Sequence, residues 1–517
     1  MKKYQLFRFT SGFIALCLVT FMNTSCSEDD EPVYAMPQLS LSGDDYMEVR
    51  IGEPIVVTLE VNMEGGNGEL LVFSGGGLLD RVALPSEAST FIYDEQQVPE
   101  TATEGQEFEY EFSVINSQST ESGRVNLTVS TIAYEPTVLG GETLYRITVP
   151  QDGIVESDVV LVSGRKYWIE ASLDFQPGTT LTVQPGTELY LKAGNEPLTD
   201  IIIRPGATVD MAGTAENPIT ISSDNTLTGE ALPGDWGLFN IRGDGAGSNS
   251  GSIAFVRMEY GGVRNFRLQN VGEQTIINHV QVFKASGEGI MITDGNVNLS
   301  HIVATDCASG GFRLGDAYAG QMQFGISILS ERFDDNSEVD IRETSSAILA
   351  NFSVIGPGAD AGNTSGIRMR GASSGKVYNS IIADFPRRGL RLNDNIEITN
   401  INGPTVFAHS FIFNVPNDPY RDDTGAGNPF RGYVDTNGVY QNPFFNNVSG
   451  MENGAPILTA IEGIGNGSII PSAVQSSAFD PSSIGGFFTS APYVGAIRDA
   501  GNDWTKGWVK NPDGSIR

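Results

Sequence analysis

Apolar and polar residues alternate along most of this chain in short runs that break at glycine, proline, asparagine and glutamate. Between residues 36 and 132 the runs PIVVTLEVNM, GELLVFSGGG, EFEYEFSVIN and GRVNLTVSTI succeed one another at regular spacing. Alternation with a period of two residues is typical of β-strands that bury one face. Several such strands predict a β-sandwich over residues 36–132, with the role of a spacer or, alternatively, of a binding module.

From about residue 140 the alternation becomes a repeat of strand, glycine turn and strand. The segment FVRMEYGGVRNFRL, which starts at Phe255, aligns without gaps with HVQVFKASGEGIMI from His279 and with HIVATDCASGGFRL from His301. Repeats of about 20 to 24 residues are typical of solenoids, and the L-x-x-L-x-L-x-x-N pattern of a leucine-rich solenoid is absent. The repeat therefore predicts a parallel β-helix, in which each coil stacks on the next at about 4.8 Å.

An earlier part of the same region contains two similar turns. The segments LTVQPGTELYL and IIIRPGATVDM place Val183 and Ile203 at the same position before a Pro-Gly pair, 20 residues apart. Because equivalent positions of stacked coils recur at the coil length, this spacing predicts a coil of 20 residues here.

The alternation also divides side chains between the interior and the surface of the coils. Side chains at every second position of a strand point to the same face. Apolar residues that recur at the repeat length are predicted to line the interior: Val256, Val280 and Ile302 on one sheet, and Phe266, Ile290 and Phe312 on another.

The position between the inward residues of that second sheet is outward, and it is arginine in four of five aligned coils. The five residues are Arg267, Met291, Arg313, Arg368 and Arg391. Arginine offers a planar fork that pairs with carboxylates and stacks on rings. Like charges one coil apart repel each other, so the pattern indicates either a salt-bridge ladder or contact with a uronate-rich or sulfated glycan. The carboxylates that could complete a ladder are Glu259, Asp316 and Asp384.

Two segments interrupt the repeat, ERFDDNSEVD at 331–340 and NDPYRDDTGAGNPFRGYVD at 417–435. Long loops of a solenoid often lie on its binding face. Tyr420 and Tyr433 are therefore predicted to stack on sugar rings, as ligand-binding residues beside the arginines. The carboxylates and amides of these loops could hold a structural Ca²⁺, although a solvated loop is the simpler interpretation, and the sequence indicates no other cofactor.

Small polar residues recur where the chain turns a corner of the coil, at Asn278, Ser300, Asn351 and Asn379. We expect them to form a ladder that bonds the backbone of the next coil. His279 and His301 occupy equivalent positions on consecutive coils, where the alternatives are a stack of rings and a metal site. Stacking is favoured because the preceding coil carries Phe255 at that position and no carboxylate or third histidine matches it.

The first 26 residues have the pattern of an export signal. Basic residues precede an apolar run, FIALCLVTFM, that is too short to span a bilayer, and NTSC follows it. This resembles a lipobox and predicts a signal peptide at residues 1–25, lipidation of Cys26 and an acidic tether at 26–35. The mature chain then keeps one thiol, Cys307, which has no disulfide partner and lies in a small apolar slot of the repeat.

The formal net charge of −32 excludes a nucleic-acid ligand, because phosphate binding depends on cations. A hydrolase of β-helix type needs carboxylates that face one another, and no pair of aspartates recurs at the coil spacing. A polysaccharide lyase needs a basic side chain, which FPRRGLRL at 385–392 offers without a matching cluster of aspartates. The sequence therefore favours a protein without catalytic activity.

A series of motifs follows a fixed order along residues 140–510: TLTVQPGT, IRPGATVDMAGTAENPITISS, PGDWG, VRMEYGG, INHVQVFKASGEGI, YAGQMQFG and YVGAIRDAGNDWTKGW. This series resembles a family of surface lipoproteins of Bacteroidetes that carry a right-handed parallel β-helix, and residues 36–132 resemble an immunoglobulin-like module. The resemblance implies an all-β chain whose β-helix ends in a C-terminal cap with Trp504 and Trp508. It implies a lipid anchor in the outer membrane, exposure on the cell surface and adhesion to an extracellular glycan or protein. A uronate lyase on a β-helix scaffold is the alternative.

Overall fold

The computed structural model describes residues 34–64, 68–85, 89–148, 152–330, 336–358, 363–393, 404–423, 468–476 and 479–517, and shorter stretches at 395, 447, 451–452, 455–456 and 460–465. The predicted signal peptide, Cys26, most of the tether and Tyr433 lie outside these residues. The described residues form two compact units, the first with 34–47, 54–96 and 108–129, and the second with 48–53, 97–107 and 130–517. Most of the predicted sandwich belongs to the first unit.

Antiparallel strands form the N-terminal part of the chain. The first eight strands are β1 (Gln38–Leu41), β2 (Tyr46–Arg50), β3 (Pro54–Asn62), β4 (Glu69–Ser74), β5 (Gly77–Ala83), β6 (Thr90–Gln97), β7 (Glu107–Ile115) and β8 (Val125–Ile132). They form two sheets, with the orders β1-β3-β6 and β2-β8-β7-β4-β5. Strand β3 buries Ile55, Val57 and Leu59 and exposes the residues between them, as the period-two alternation predicts for a sandwich.

The second unit is built almost entirely of short strands. They are β9 (Glu135–Leu139), β10 (Glu142–Arg146), β11 (Ile154–Val155), β12 (Val159–Leu161), β13 (Lys166–Ile169), β14 (Leu173–Phe175), β15 (Thr180–Val183), β16 (Glu188–Leu191), β17 (Ile201–Ile203), β18 (Thr208–Ala212), β19 (Ile219–Ser223), β20 (Phe239–Arg242), β21 (Gly251–Glu259), β22 (Phe266–Gln269), β23 (Ile276–Phe283), β24 (Ile290–Thr293), β25 (Asn298–Thr305), β26 (Phe312–Gly315), β27 (Gln321–Ile328), β28 (Ser337–Ile341), β29 (Ile348–Ile355), β30 (Ser365–Met369), β31 (Lys376–Tyr378), β32 (Ile381–Ala383), β33 (Arg388–Leu392), β34 (Val406–Ala408), β35 (Phe411–Phe413), β36 (Asp418–Asp422), β37 (Met451–Glu452), β38 (Ala455–Pro456), β39 (Ile464–Gly465) and β40 (Ser468–Ile469). One helical turn, α1 (Asn225–Thr228), and two 3-10 turns, Pro481–Ser483 and Ala500–Asn502, complete the described elements. None of the described helices has the length and apolar character needed to cross a bilayer.

These strands stack in register as a right-handed parallel β-helix. Eleven of the described strands form one sheet, which we call the long sheet, in the order β11-β14-β17-β20-β22-β24-β26-β28-β30-β33-β36. Phe266 pairs with Ile290 and Ile290 with Phe312 on adjacent strands of this sheet, and each is at most 1% exposed. The predicted interior column is confirmed, and burial of its apolar surface holds successive coils together.

The remaining parallel strands form a second sheet, which we call the bent sheet because its longer strands turn a corner. The two halves of β21 show this, since Ile253 pairs with Met211 of β18 and Val256 pairs with Ile219 of β19. Phe255 lies at the corner between the two halves with φ 52°. Val256 in turn starts the second predicted interior column, which continues through β23 and β25.

The predicted 20-residue coil is wrong. Val183 pairs with Met211, and Ile203 pairs with Phe175, so both offsets are 28 residues. In this region one Pro-Gly turn follows a strand of the bent sheet and another follows a strand of the long sheet. The two kinds of turn look alike in sequence although they lie on different sides of the coil, and this caused the error. The counterpart of Pro205-Gly206 is Pro177-Gly178, which follows Phe175, and the similarity between the segments at 181 and 201 reflects turn chemistry rather than stacking.

One residue per coil holds the corner of the bent sheet in the left-handed region, and together these residues form the corner ladder. Its members, with φ from 49° to 60°, are Phe255, His279, His301, Phe324, Asn351, Asn379 and His409. Asn351 and Asn379 lie at the corner as predicted, whereas Asn278 and Ser300 lie one residue earlier, in the plane of the strands. Asparagine and histidine tolerate this conformation better than most residues do.

The imidazoles of the corner ladder form a ring stack. His279 and His301 lie 4.4 Å apart between ring centroids with 4° between their planes, and Phe255 stacks on His279 at 4.1 Å. Burial lowers the pKa of His279 to about 4, and burial together with the nearby His279 lowers the pKa of His301 to about 3. The predicted stacking is confirmed, and both rings are neutral at pH 7.

The C-terminal residues 479–517, which we call the strap, lie along the corner ladder. The side-chain amide of Asn379 donates to the carbonyl of Phe479, and that of Asn351 donates to the carbonyl of Tyr493. Trp504 packs edge-on against His301 at 5.0 Å and Trp508 against Phe255 at 5.6 Å. The segment predicted as a cap therefore covers the side of successive coils, and the side-chain nitrogens of Asn351 and Asn379 donate to the strap.

The thiol of Cys307 is buried at 1% exposure, and burial raises its pKa above the ordinary range. It packs in the interior of the coils. The predicted structural role is confirmed, because a thiol that stays protonated is a poor nucleophile.

Candidate functional site

The outward residues of the long sheet form a single column along the coils, which we call the arginine column. Strand register places one member on each coil, in the order Asn240, Arg267, Met291, Arg313, Asp340, Arg368, Arg391 and Arg421. The sequence placed Arg267, Arg313, Arg368 and Arg391 on one outer face, and that placement is confirmed. Whether they bind a ligand stays a prediction.

Asp340 is the centre of the ionic network in this column. Arg368 donates to it through Nε at 3.1 Å and Nη2 at 2.8 Å, and Arg370 does so at 3.2 and 3.0 Å. Arg342 is a third partner, with 3.6 Å between Nη1 and Oδ2. Two-pronged pairing of this kind fixes both side chains. Burial by itself raises the pKa of Asp340, but the hydrogen bonds and charges of Arg368 and Arg370 outweigh it and lower the pKa.

Two further arginines of the column have their own carboxylates. Arg313 forms an ion pair with Glu288, and Nε of Arg391 donates to Asp423 at 2.7 Å. For Arg313, Arg368 and Arg391 the salt-bridge ladder is therefore confirmed.

The partners that the sequence suggested were wrong in two cases. Glu259 of the bent sheet pairs with Arg257 and with Lys510 of the strap, and Asp384 accepts from Asn414 at a corner. Asp316 lies near the column and acts on Arg267 through its charge. The actual partners lie in the turn before a strand, within a strand and just after one, where the repeat alignment gave no indication of proximity.

Arg267 differs from the other arginines of the column. Among the described residues neither Arg267 nor its neighbours Arg242 and Arg264 has an ion-pair partner, and the Nε of each is buried without a hydrogen bond. Burial lowers the pKa of Arg267, and the charges of Arg264, Arg242 and Arg313 lower it further, while Asp316 opposes them. We call Arg242, Arg264 and Arg267 the free cluster. Its positive charge is not balanced by carboxylates in contact with it.

Tyr420 does not lie on the outward column. It pairs in register with Leu390, an inward position, and its ring packs against the core 6.4 Å from Phe407. Tyr420 therefore lies at an inward position of β36, a further coil where the sequence indicated a loop, and its binding to a sugar stays a prediction. Tyr433 and most of 417–435 lie outside the described residues.

Sequence reasoning missed several residues of this face. Asp340 escaped because SEVDI was assigned to a loop, although it is strand β28. Arg242 lies two residues after Asn240 on β20, and the period-two rule applied to that coil could have found it. Arg264 lies in a turn with φ 63°, and no periodic pattern marks it. Within the described ranges, no group of three or more His, Cys, Asp or Glu side chains is placed to hold a metal ion, and the predicted Ca²⁺ remains a prediction.

The sequence profile of a family described as a pectate-lyase-like β-helix domain matches residues 153–247 and 239–456. Similar solved structures include pectate lyase PelI from Erwinia chrysanthemi in complex with tetragalacturonic acid, at 11% identity over 80% of this chain and 100% of that chain, with a TM-score of 0.12. They also include pectate lyase Pel3 from Pectobacterium carotovorum, at 10% identity over 76% of this chain and 92% of that chain, with a TM-score of 0.13. No curated protein matches the chain.

Proposed function

This chain belongs to the family of pectate-lyase-like β-helix domains, and from that premise we propose that its long sheet binds an acidic glycan without cleaving it. The observation that carries the proposal is the free cluster, three arginines on adjoining coils without contacting carboxylates in the described part of a chain with a net charge of −32. Unbalanced cations that are partly withdrawn from water bind anions more strongly than exposed ones do. A glycan with carboxylate or sulfate groups supplies such anions along an extended chain.

The paired part of the column supports this assignment. Asp340 holds Arg368 and Arg370 in fixed orientations, which gives the long sheet a rigid polar surface on the same column, three coils along from Arg267. Preorganised side chains lose little conformational entropy when a ligand binds. The long sheet therefore offers both rigidity and net positive charge.

Replacing Arg267 tests the proposal. We expect Arg267→Gln to reduce retention in affinity electrophoresis on polyuronate and sulfated polysaccharide gels by about tenfold, because a hydrogen-bonded ion contact is lost. The matched control is Arg498→Gln, which removes an exposed arginine paired with Asp499 and should leave retention unchanged. Equal retention of both variants with the unmodified protein would contradict binding at the free cluster. Retention should also fall as salt rises.

A polysaccharide lyase is the second candidate, favoured by the family to which the chain belongs. A lyase removes a proton next to a uronate carboxylate and leaves an unsaturated product that absorbs ultraviolet light. Incubation of the same polyuronate with the protein, with and without calcium, separates the two functions. If the absorbance rises with the unmodified protein and does not rise with Arg267→Gln, the protein is a lyase rather than a binding protein.

We also propose that the protein is a surface lipoprotein held in the outer membrane through Cys26. The lipobox-like NTSC and the acidic residues after it support this. In cells, Cys26→Ala should move the protein from the membrane fraction to the soluble fraction, because the lipid anchor is lost. Undiminished membrane association of the variant would refute the anchor.

A further inference from the structure

We propose that a recess beside the arginine column is a subsite for one acidic, hydroxylated sugar ring, in which Asn336 accepts a hydrogen bond from a hydroxyl group of the ligand. The inference rests on the proposed function, since it specifies what part of an acidic glycan the long sheet recognises. It adds a specificity-determining residue that lies outside the column itself.

The recess lies where strands β24, β26 and β28 begin. It has a volume of about 230 Å³ and is lined by residues that include Glu288, Ser309, Arg313, Asn336, Asp340 and Arg342. The lining residues come from consecutive coils, so the recess is a feature of the stacked structure and not of one loop.

The amide of Asn336 is held in one orientation. Its Nδ2 donates to the carbonyl of Ala308 at 3.3 Å and lies 3.5 Å from Oε1 of Glu338. The carbonyl of Ala308 can only accept, so the nitrogen must face it and Oδ1 must face the other way. The residue is 8% exposed.

Oδ1 of Asn336 is a buried acceptor without a hydrogen-bond partner among the described residues. A buried polar atom in this state has a free-energy cost, and a donor that reaches it recovers that cost. Water, or a hydroxyl group of a ligand in the recess, is such a donor. An acidic sugar ring brings hydroxyl donors, whereas a simple carboxylate such as acetate does not.

The charges around the recess select an anionic ligand. Arg313, Arg342 and Arg368 line it together with two carboxylates, Glu288 and Asp340. Asp340 also bonds Arg370 and Arg342 also pairs with Glu343, so four guanidinium groups share three carboxylates. Nε of Arg313 is buried without a partner, which leaves a donor for the carboxylate or sulfate of the ligand. One negative charge and one hydroxyl donor on the same ring satisfy both unpaired groups.

The experiment compares glucuronate, acetate and glucose as probes, titrated into the full chain and followed by NMR or calorimetry. The unmodified protein should bind glucuronate about tenfold more tightly than acetate, and glucose more weakly still because it carries no charge. Asn336→Leu should remove the preference for glucuronate over acetate. Arg313→Gln should weaken the binding of both anions and preserve their ratio.

Asn217→Leu, in an exposed turn, is the matched control and should change nothing. Thermal unfolding of each variant shows that it is folded before binding is compared. If Asn336→Leu keeps the full preference for glucuronate, or if the unmodified protein does not prefer glucuronate, the subsite is overturned. If the protein is still retained on an acidic polysaccharide in the same experiments, the proposed function stands although the subsite does not. If it is not retained, both the subsite and the proposed function are contradicted.

Discussion

Arg165→Met should destabilise the second unit by about 3–5 kcal/mol. The guanidinium of Arg165 is 8% exposed and pairs with Glu48 and Glu104, with 2.9 Å between its Nε and Oε1 of Glu48. The hydroxyl of Tyr167 donates to Glu104 at 2.9 Å. Removal of the cation leaves the buried carboxylate of Glu104 and the partly buried carboxylate of Glu48 without this positive partner. Urea unfolding followed by tyrosine and tryptophan fluorescence measures the loss.

The matched control is the same substitution at Arg146, which pairs with Glu135 and Glu170 at the surface. We expect Arg146→Met to cost less than about 1 kcal/mol, because exposed ion pairs contribute little. Similar stability of the two variants would mean that Arg165 contributes through its aliphatic stem alone.

Acid should destabilise the unmodified protein through the His279–His301 stack. Both folded pKa values, about 4 and about 3, lie below the unfolded value of 6.5, so protons bind preferentially to the unfolded chain. The stability contributed by the neutral rings is complete above pH 6.5 and is lost as the pH falls through that value toward the folded pKa values. Allowing for partial solvent exposure, we expect a loss of roughly 3 kcal/mol between pH 6.5 and pH 4.5.

The double variant His279→Phe with His301→Phe isolates this effect from the titration of carboxylates. Phenylalanine already occupies the corner ladder at positions 255 and 324 with φ of 52° and 60°, so the ring stack is retained without a titrating nitrogen. The free energy of unfolding of the variant should depend less on pH across this window than that of the unmodified protein. Parallel pH curves for the two proteins would contradict the stated cause.

The sequence predicted the interior of the coils better than their turns. Apolar residues recur at every second position of strands such as β18 and β22, and the repeat of this pattern aligned Phe266, Ile290 and Phe312. The same turn residues occur on different sides of a coil, so a shared Pro-Gly pair does not show that two turns stack. The pairs after Val183 and Ile203 were aligned wrongly for that reason. A strand with few apolar residues, interrupted by carboxylates, does not match the repeat. Strand β28 is such a strand, and for this reason the sequence did not predict the position of Asp340.

The candidate site could be predicted in position but not in charge balance. The outward arginines follow from alternation alone. Their partners do not, because Glu288 lies in a turn and Asp423 follows the last strand of the long sheet, and nothing in the alignment relates either to an arginine. Whether an arginine is paired depends on such side chains, and the free cluster is therefore a property of the folded chain.

The strap has a consequence for the order in which the chain is completed. Its hydrogen-bond partners between Arg257 and Asn379 precede it by 100 residues or more, so these are among the most non-local contacts of the second unit. Until residues 479–517 have been made, the amides of Gln281, Asn351 and Asn379 and the edges of the histidine rings lack the strap that covers them. If synthesis stops before the strap is made, the coils stack but the corner ladder stays uncovered. Such incomplete chains can associate with one another through this surface.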